Sequence, residues 1–105
     1  MAKQIKFTIN EKTYTLEFTR KSVETMEKQG FSIHEVSDKP MSVLPQLFAG
    51  AFLAHHKFEK REVINDIFAK MTNRSELFST LVEMYNEPII AIMDEAFSDL
   101  RVAGD

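Results

Sequence analysis

The chain contains no cysteine and no tryptophan, and only three glycines and three prolines in 105 residues. Without a thiol there is no disulfide framework, no thiolate metal site and no cysteine nucleophile. The glycines stand far apart at Gly30, Gly50 and Gly104, which excludes a glycine-rich loop wrapped around a phosphate. No apolar run approaches the roughly 18 residues of a membrane span, and no charged-then-apolar start marks a secretory signal. No membrane partner is expected, and the expected compartment is the cytoplasm. What remains has the composition of a folded domain, 44% apolar and 28% charged, with enough length for one core and too little for two.

Net charge is −3, unevenly spread. Residues 1–39 carry seven basic and six acidic side chains, and residues 40–74 carry five and three. Residues 75–105 hold only Arg101 against Glu76, Glu83, Glu87, Asp94, Glu95, Asp99 and Asp105. A protein that binds duplex phosphates needs clustered Lys and Arg, so the acidic C-terminal third argues against nucleic acid.

Hydrophobic periodicity predicts an α+β fold, an N-terminal antiparallel β-hairpin packed against about four helices. Ile5, Phe7 and Ile9 alternate with polar residues, and Tyr14, Leu16 and Phe18 do so again after Asn10-Glu11-Lys12, giving a hairpin over residues 4–18 with one apolar face. A lone hairpin is not stable in water. Its cover begins at a helix over 20–29, with Thr19 as N-cap, a Phe18–Val23 staple, a Glu24–Lys28 pair, and Gly30-Phe31 closing the end on Met26. Residues 32–40 lack a period and form a connection, with Ile33 and Val36 turned inward. A second helix is expected over about 43–56 with Pro45 in its first turn, and Gly50 in its middle implies close approach of another element. A third runs over about 60–71 on a stripe of Val63, Ile64, Ile67, Phe68 and Met71. The fourth, over about 75–101, starts near Asn73 or Ser75 and is expected to kink or break near Pro88. Its apolar positions cover most of its circumference: the surplus either meets another chain or wraps the same core from both sides of a kink.

Candidate chemistry is sparse. His55 and His56 project about 100° apart from a regular helix and do not share a metal, whereas imidazoles suit the exposed carbonyls of a helix C-terminus. Glu24 with Glu27, or Asp94 with Glu95, are carboxylates on solvated helix faces, with nothing to separate their proton affinities. No catalytic constellation, cofactor motif or metal set emerges, and the expectation is a non-enzymatic protein.

Several stretches together resemble a family of small proteins encoded among the tail genes of long-tailed bacteriophages and prophages of Gram-positive bacteria. They are Leu16-Glu17-Phe18-Thr19-Arg20-Lys21-Ser22-Val23, Met26-Glu27-Lys28-Gln29-Gly30-Phe31, Lys39-Pro40-Met41, and Leu44-Pro45-Gln46-Leu47-Phe48-Ala49-Gly50-Ala51-Phe52 with His55-His56. The likeness is strongest over residues 14–56. It implies a tail assembly chaperone acting in the bacterial host cytoplasm, which engages the tape-measure protein and helps recruit tail-tube subunits. A homo-oligomer without nucleic acid or cofactor is expected. The protein-binding surface is expected around Ile89, Met93, Phe97 and Leu100, with acidic neighbours Asp94, Glu95 and Asp99. The rival readings are a small phage regulatory protein that binds nucleic acid and, after it, an unrecognised hydrolase.

Overall fold

The computed structural model describes residues 3–104, with side chains described up to residue 94. Two antiparallel strands, β1 (Ile5–Ile9) and β2 (Lys12–Leu16), are followed by α1 (Arg20–Lys28), a 3₁₀ turn (Ile33–Val36), α2 (Pro40–Gly50), α3 (Arg61–Lys70) and α4 (Arg74–Gly104). This is the α+β hairpin-and-helices fold that the periodicity predicts.

The register pairs Ile5 with Leu16, Phe7 with Tyr14 and Ile9 with Lys12. The turn is one residue tighter than expected: Lys12 belongs to β2, and Asn10 and Glu11 alone connect the strands at φ 50° and 64°. Two successive left-handed residues twist a two-residue turn in the same sense as the strands. Glycine usually fills the second position, so Glu11 sits there under strain.

α1 is closed at both ends. The Thr19 hydroxyl accepts from the Ser22 N–H at 3.1 Å, and the Ser22 hydroxyl accepts from the Thr19 N–H at 2.9 Å. At the other end Gly30 adopts φ 91°, the Gly30 N–H donates to the Glu27 carbonyl, and the Phe31 N–H donates to the Met26 carbonyl, both at 3.0 Å. These two bonds make a complete Schellman cap.

α2 departs from the expected 43–56 at both ends. It begins at Pro40, whose absent N–H costs nothing at the first helical position, so Pro45 lies about three residues deeper than expected. The carbonyl Pro45 leaves without a partner is that of Met41, which is 89% exposed and open to water. Beyond Gly50 the chain continues in turns. The Phe52 and Leu53 N–H groups make three-residue bonds to Ala49 and Gly50, and the Ala51 carbonyl turns away to accept from the Glu17 N–H at 3.1 Å. The helix ends because its last carbonyl serves the hairpin.

Of the kink or break expected near Pro88, the break does not occur: the helix runs from Arg74 to Gly104 with the proline inside it, at the cost of one hydrogen bond. Lys3 braces this stretch from the side, its backbone N–H donating to Glu87 at 3.2 Å and its ammonium to Glu83 at 3.0 Å.

The core lies between the hairpin face and the helices. Leu16, Leu47 and Leu81 are fully buried, and Phe18 and Phe31 both meet the Tyr85 ring edge-on at 5.4 Å. A second aromatic series runs from Tyr14 through Phe52, Phe48 and Phe68 to Phe78, linking the hairpin to α2, α3 and α4. Gly50 is where α2 meets α1: a Cβ there would collide with the Sδ and Cε of buried Met26.

Two stability changes follow. Glu11→Gly should raise unfolding free energy by about 1 kcal/mol by relieving left-handed strain. Gly50→Ala should lower it by about 1–3 kcal/mol through overpacking, despite alanine's advantage in a helix. In a Met26→Ala background the Gly50→Ala change should instead be neutral or stabilising. Urea denaturation of the single and double variants checks both, and additive effects at the second pair would refute the contact.

Candidate functional site

Two features stand apart from the core: a polar latch with an adjoining depression beside β2, and the apolar stretch of α4 that follows Ile89.

A two-stranded sheet has a free edge on each strand. On β2 the outward amides are those of Thr13, which is exposed, of Thr15 and, just past the strand, of Glu17. The Thr15 N–H donates to Nε2 of His56 at 3.0 Å, and the Glu17 N–H to the Ala51 carbonyl. The segment 51–59 therefore lies along the edge and covers its Thr15–Glu17 end. Both histidines serve the hairpin, not the helix-terminal carbonyls expected of them. Their Nε2 atoms act in opposite senses. His56 accepts at Nε2, which puts its proton on Nδ1, whereas His55 donates from Nε2 to the Glu17 carboxylate at 2.7 Å.

Glu59 completes the latch. Lys12 Nζ donates to its Oε2 at 2.8 Å and the Tyr14 hydroxyl at 3.2 Å. The Lys12 hydrogen bond holds the Glu59 carboxyl below its usual range, and the His55 bond followed by that of Gln4 does the same for Glu17. Burial, followed by Glu59, pushes the Tyr14 phenol up. Burial foremost, then the charges of Lys12 and His55, lowers His56 below the ordinary imidazole value, with Glu59 opposing. Among the described residues no three His, Asp or Glu side chains are grouped to hold a metal ion.

Beside the latch lies an open depression of about 850 Å³, bordered by the start of α1 and the segment 53–59. Lys12, Lys21 and Lys57 line it against the single carboxylate of Glu59, together with Leu53 and Phe58. Phe58 is 88% exposed, with the Lys57 ammonium 5.1 Å from its ring centre. The sequence pattern did not single out Phe58; a lone aromatic within Lys57-Phe58-Glu59-Lys60, at a break in the helical period, was the available signal.

The second feature involves the expected binding residues. Ile89 is half-buried and packs on the core, Met93 is 56% exposed, and Phe97 and Leu100 lie outside the residues whose side chains are described. Ile90 and Ile92, which periodicity grouped with the general apolar set, are 55% and 49% exposed. All five residues from Ile90 to Asp94 are exposed. At 100° per residue they span the full circumference, so no face of this stretch is packed. The stretch is an arm: α4 has left the body, and its apolar side chains go with it. No helix among the described residues is long and apolar enough to cross a membrane.

Because His56 must be neutral to accept the Thr15 amide, its contribution to stability is complete above the unfolded imidazole pKa and declines as pH falls from about 6.5 through the lowered folded value. Unfolding free energy should therefore rise between about pH 5 and 7. In His56→Gln, which keeps an acceptor at the same reach without titrating, that rise should be smaller. Denaturant titrations across the window measure it, and equal slopes in both proteins would exclude the latch as the cause.

No curated protein and no solved structure matches the chain. The model of the family described as domain of unknown function DUF5055 matches residues 1–102, nearly the full length, and the chain belongs to that family.

Proposed function

We propose that this protein is a non-enzymatic tail assembly chaperone of a bacteriophage or prophage, which binds the tape-measure protein and helps recruit tail-tube subunits in the host cytoplasm. The observation that carries the reading is the arm of α4, where Ile90, Ile92 and Met93 stand in solvent with no face packed. Isoleucine and methionine on a free helix lose favourable burial on every side, and a monomer gains nothing from keeping them there. An amphipathic or apolar helix of another chain laid along the arm would recover that burial, and helix-against-helix docking suits a long helical client. The tail-protein resemblance of residues 14–56 supports the same reading and supplies the client. The charge distribution disfavours the nucleic-acid alternative, since the exposed apolar stretch sits in the acidic third of the chain.

Co-expression with a tape-measure protein from the same genome tests the proposal. The wild-type chain should keep that client soluble and co-purify with it. Ile90→Glu with Met93→Glu should abolish the effect while changing unfolding free energy by less than about 0.5 kcal/mol, because both positions are exposed. Loss of client solubility only in variants that also unfold would refute the role given to the arm.

A further inference from the structure

The arm and the depression are complementary in charge and in chemistry. Residues 90–104 carry Asp94, Glu95 and Asp99 against Arg101, two net negative charges. The depression presents three lysines against Glu59, two net positive charges, and Lys12 and Tyr14 already occupy that glutamate. Neither Lys21 nor Lys57 forms an ion pair among the described residues. Each feature also has an apolar component that solvent does not satisfy: Ile90, Ile92 and Met93 on the arm, Phe58 in the depression. No α4 residue with a described side chain lines the depression.

We propose that the acidic arm of one copy docks into the basic, Phe58-bearing depression of a second copy. Arm-against-arm pairing would set Asp94, Glu95 and Asp99 of one copy against the same carboxylates of the next, and like charges at an interface are costly. Arm-to-depression docking matches opposite charges instead and covers Phe58 together with the isoleucines. The two surfaces differ, so the contact is heterologous. It leaves one arm and one depression unused at the ends of any open chain of copies, and assembly proceeds to a ring or a filament. The inference rests on the arm being the gripping surface, as in the chaperone reading, and specifies another copy as its occupant.

Charge reversal tests it on the purified full-length chain. Light scattering across protein concentrations should show the wild type above the 12.1 kDa monomer mass, with association weakening as salt is raised. Lys21→Glu with Lys57→Glu, or Asp94→Lys with Asp99→Lys, should each weaken association by more than about tenfold. Mixing the two variants, or combining all four changes in one chain, should restore it. Circular dichroism confirms that each variant is folded. A monomeric wild type at low salt, association that persists in either reversed variant, or failure of the four-fold reversal to restore it overturns the proposal. Client solubilisation separates this from the chaperone reading. A monomer that still keeps the tape-measure protein soluble refutes self-docking alone, and an assembling chain that does not refutes the chaperone reading alone.

Discussion

The fold depends on closing the outer edge of β2. Two strands do not make a stable sheet, and the backbone donors on the far side of β2 need partners that β1 does not provide. The segment 51–59 supplies those of Glu17 and Thr15 with the Ala51 carbonyl and the His56 imidazole. That requirement decides where α2 stops, because Ala51 must turn its carbonyl outward to reach Glu17. It also decides the chemistry of the histidine pair, since one ring must accept and its neighbour donate. The depression beside the edge follows from the same turn, which carries Lys57 and Phe58 out into solvent on its far side.

Much of this was legible in the residues. Both ends of α1 could be read, because Thr19, Gly30 and Phe31 act through local bonds whose spacing is fixed by helix geometry; the reciprocal Ser22 bond was not foreseen. Gly50 signalled a close approach and Met26 is what approaches. The errors lie where distant contacts overrule local preference. Pro45 suggests a helix start, but Pro40 is the better first residue. His55 and His56 look like helix-end imidazoles until the hairpin edge is placed beside them. Pro88 allows a kink or a break, and the helix continues through it without the break. For the arm, periodicity identified an excess of apolar positions without showing where α4 leaves the body, and so Ile89, which packs inward, was grouped with Met93, which does not.

The distribution of charge organises the exterior as the apolar pattern organises the core. Acidic residues collect on α4, and lysines collect around the start of α1 and the turn that follows α2. Those on the latch are mutually satisfied: Glu17 by His55 and Gln4, Glu59 by Lys12 and Tyr14. The lysines left over are those nearest Phe58. Unpaired charge beside exposed apolar surface describes the rim and centre of a protein interface better than it describes a catalytic cleft, where polar groups converge on a common point.

The clasp between Lys3 and Glu87 spans 84 positions of sequence. On a ribosome the hairpin therefore emerges well before its last cover, the Tyr85 turn of α4. Until that turn arrives the apolar face that carries Phe18 lacks part of its cover, and pairing across so long a stretch makes loop closure a late and slow step. A nascent chain of this design is itself vulnerable to off-pathway association before it is complete.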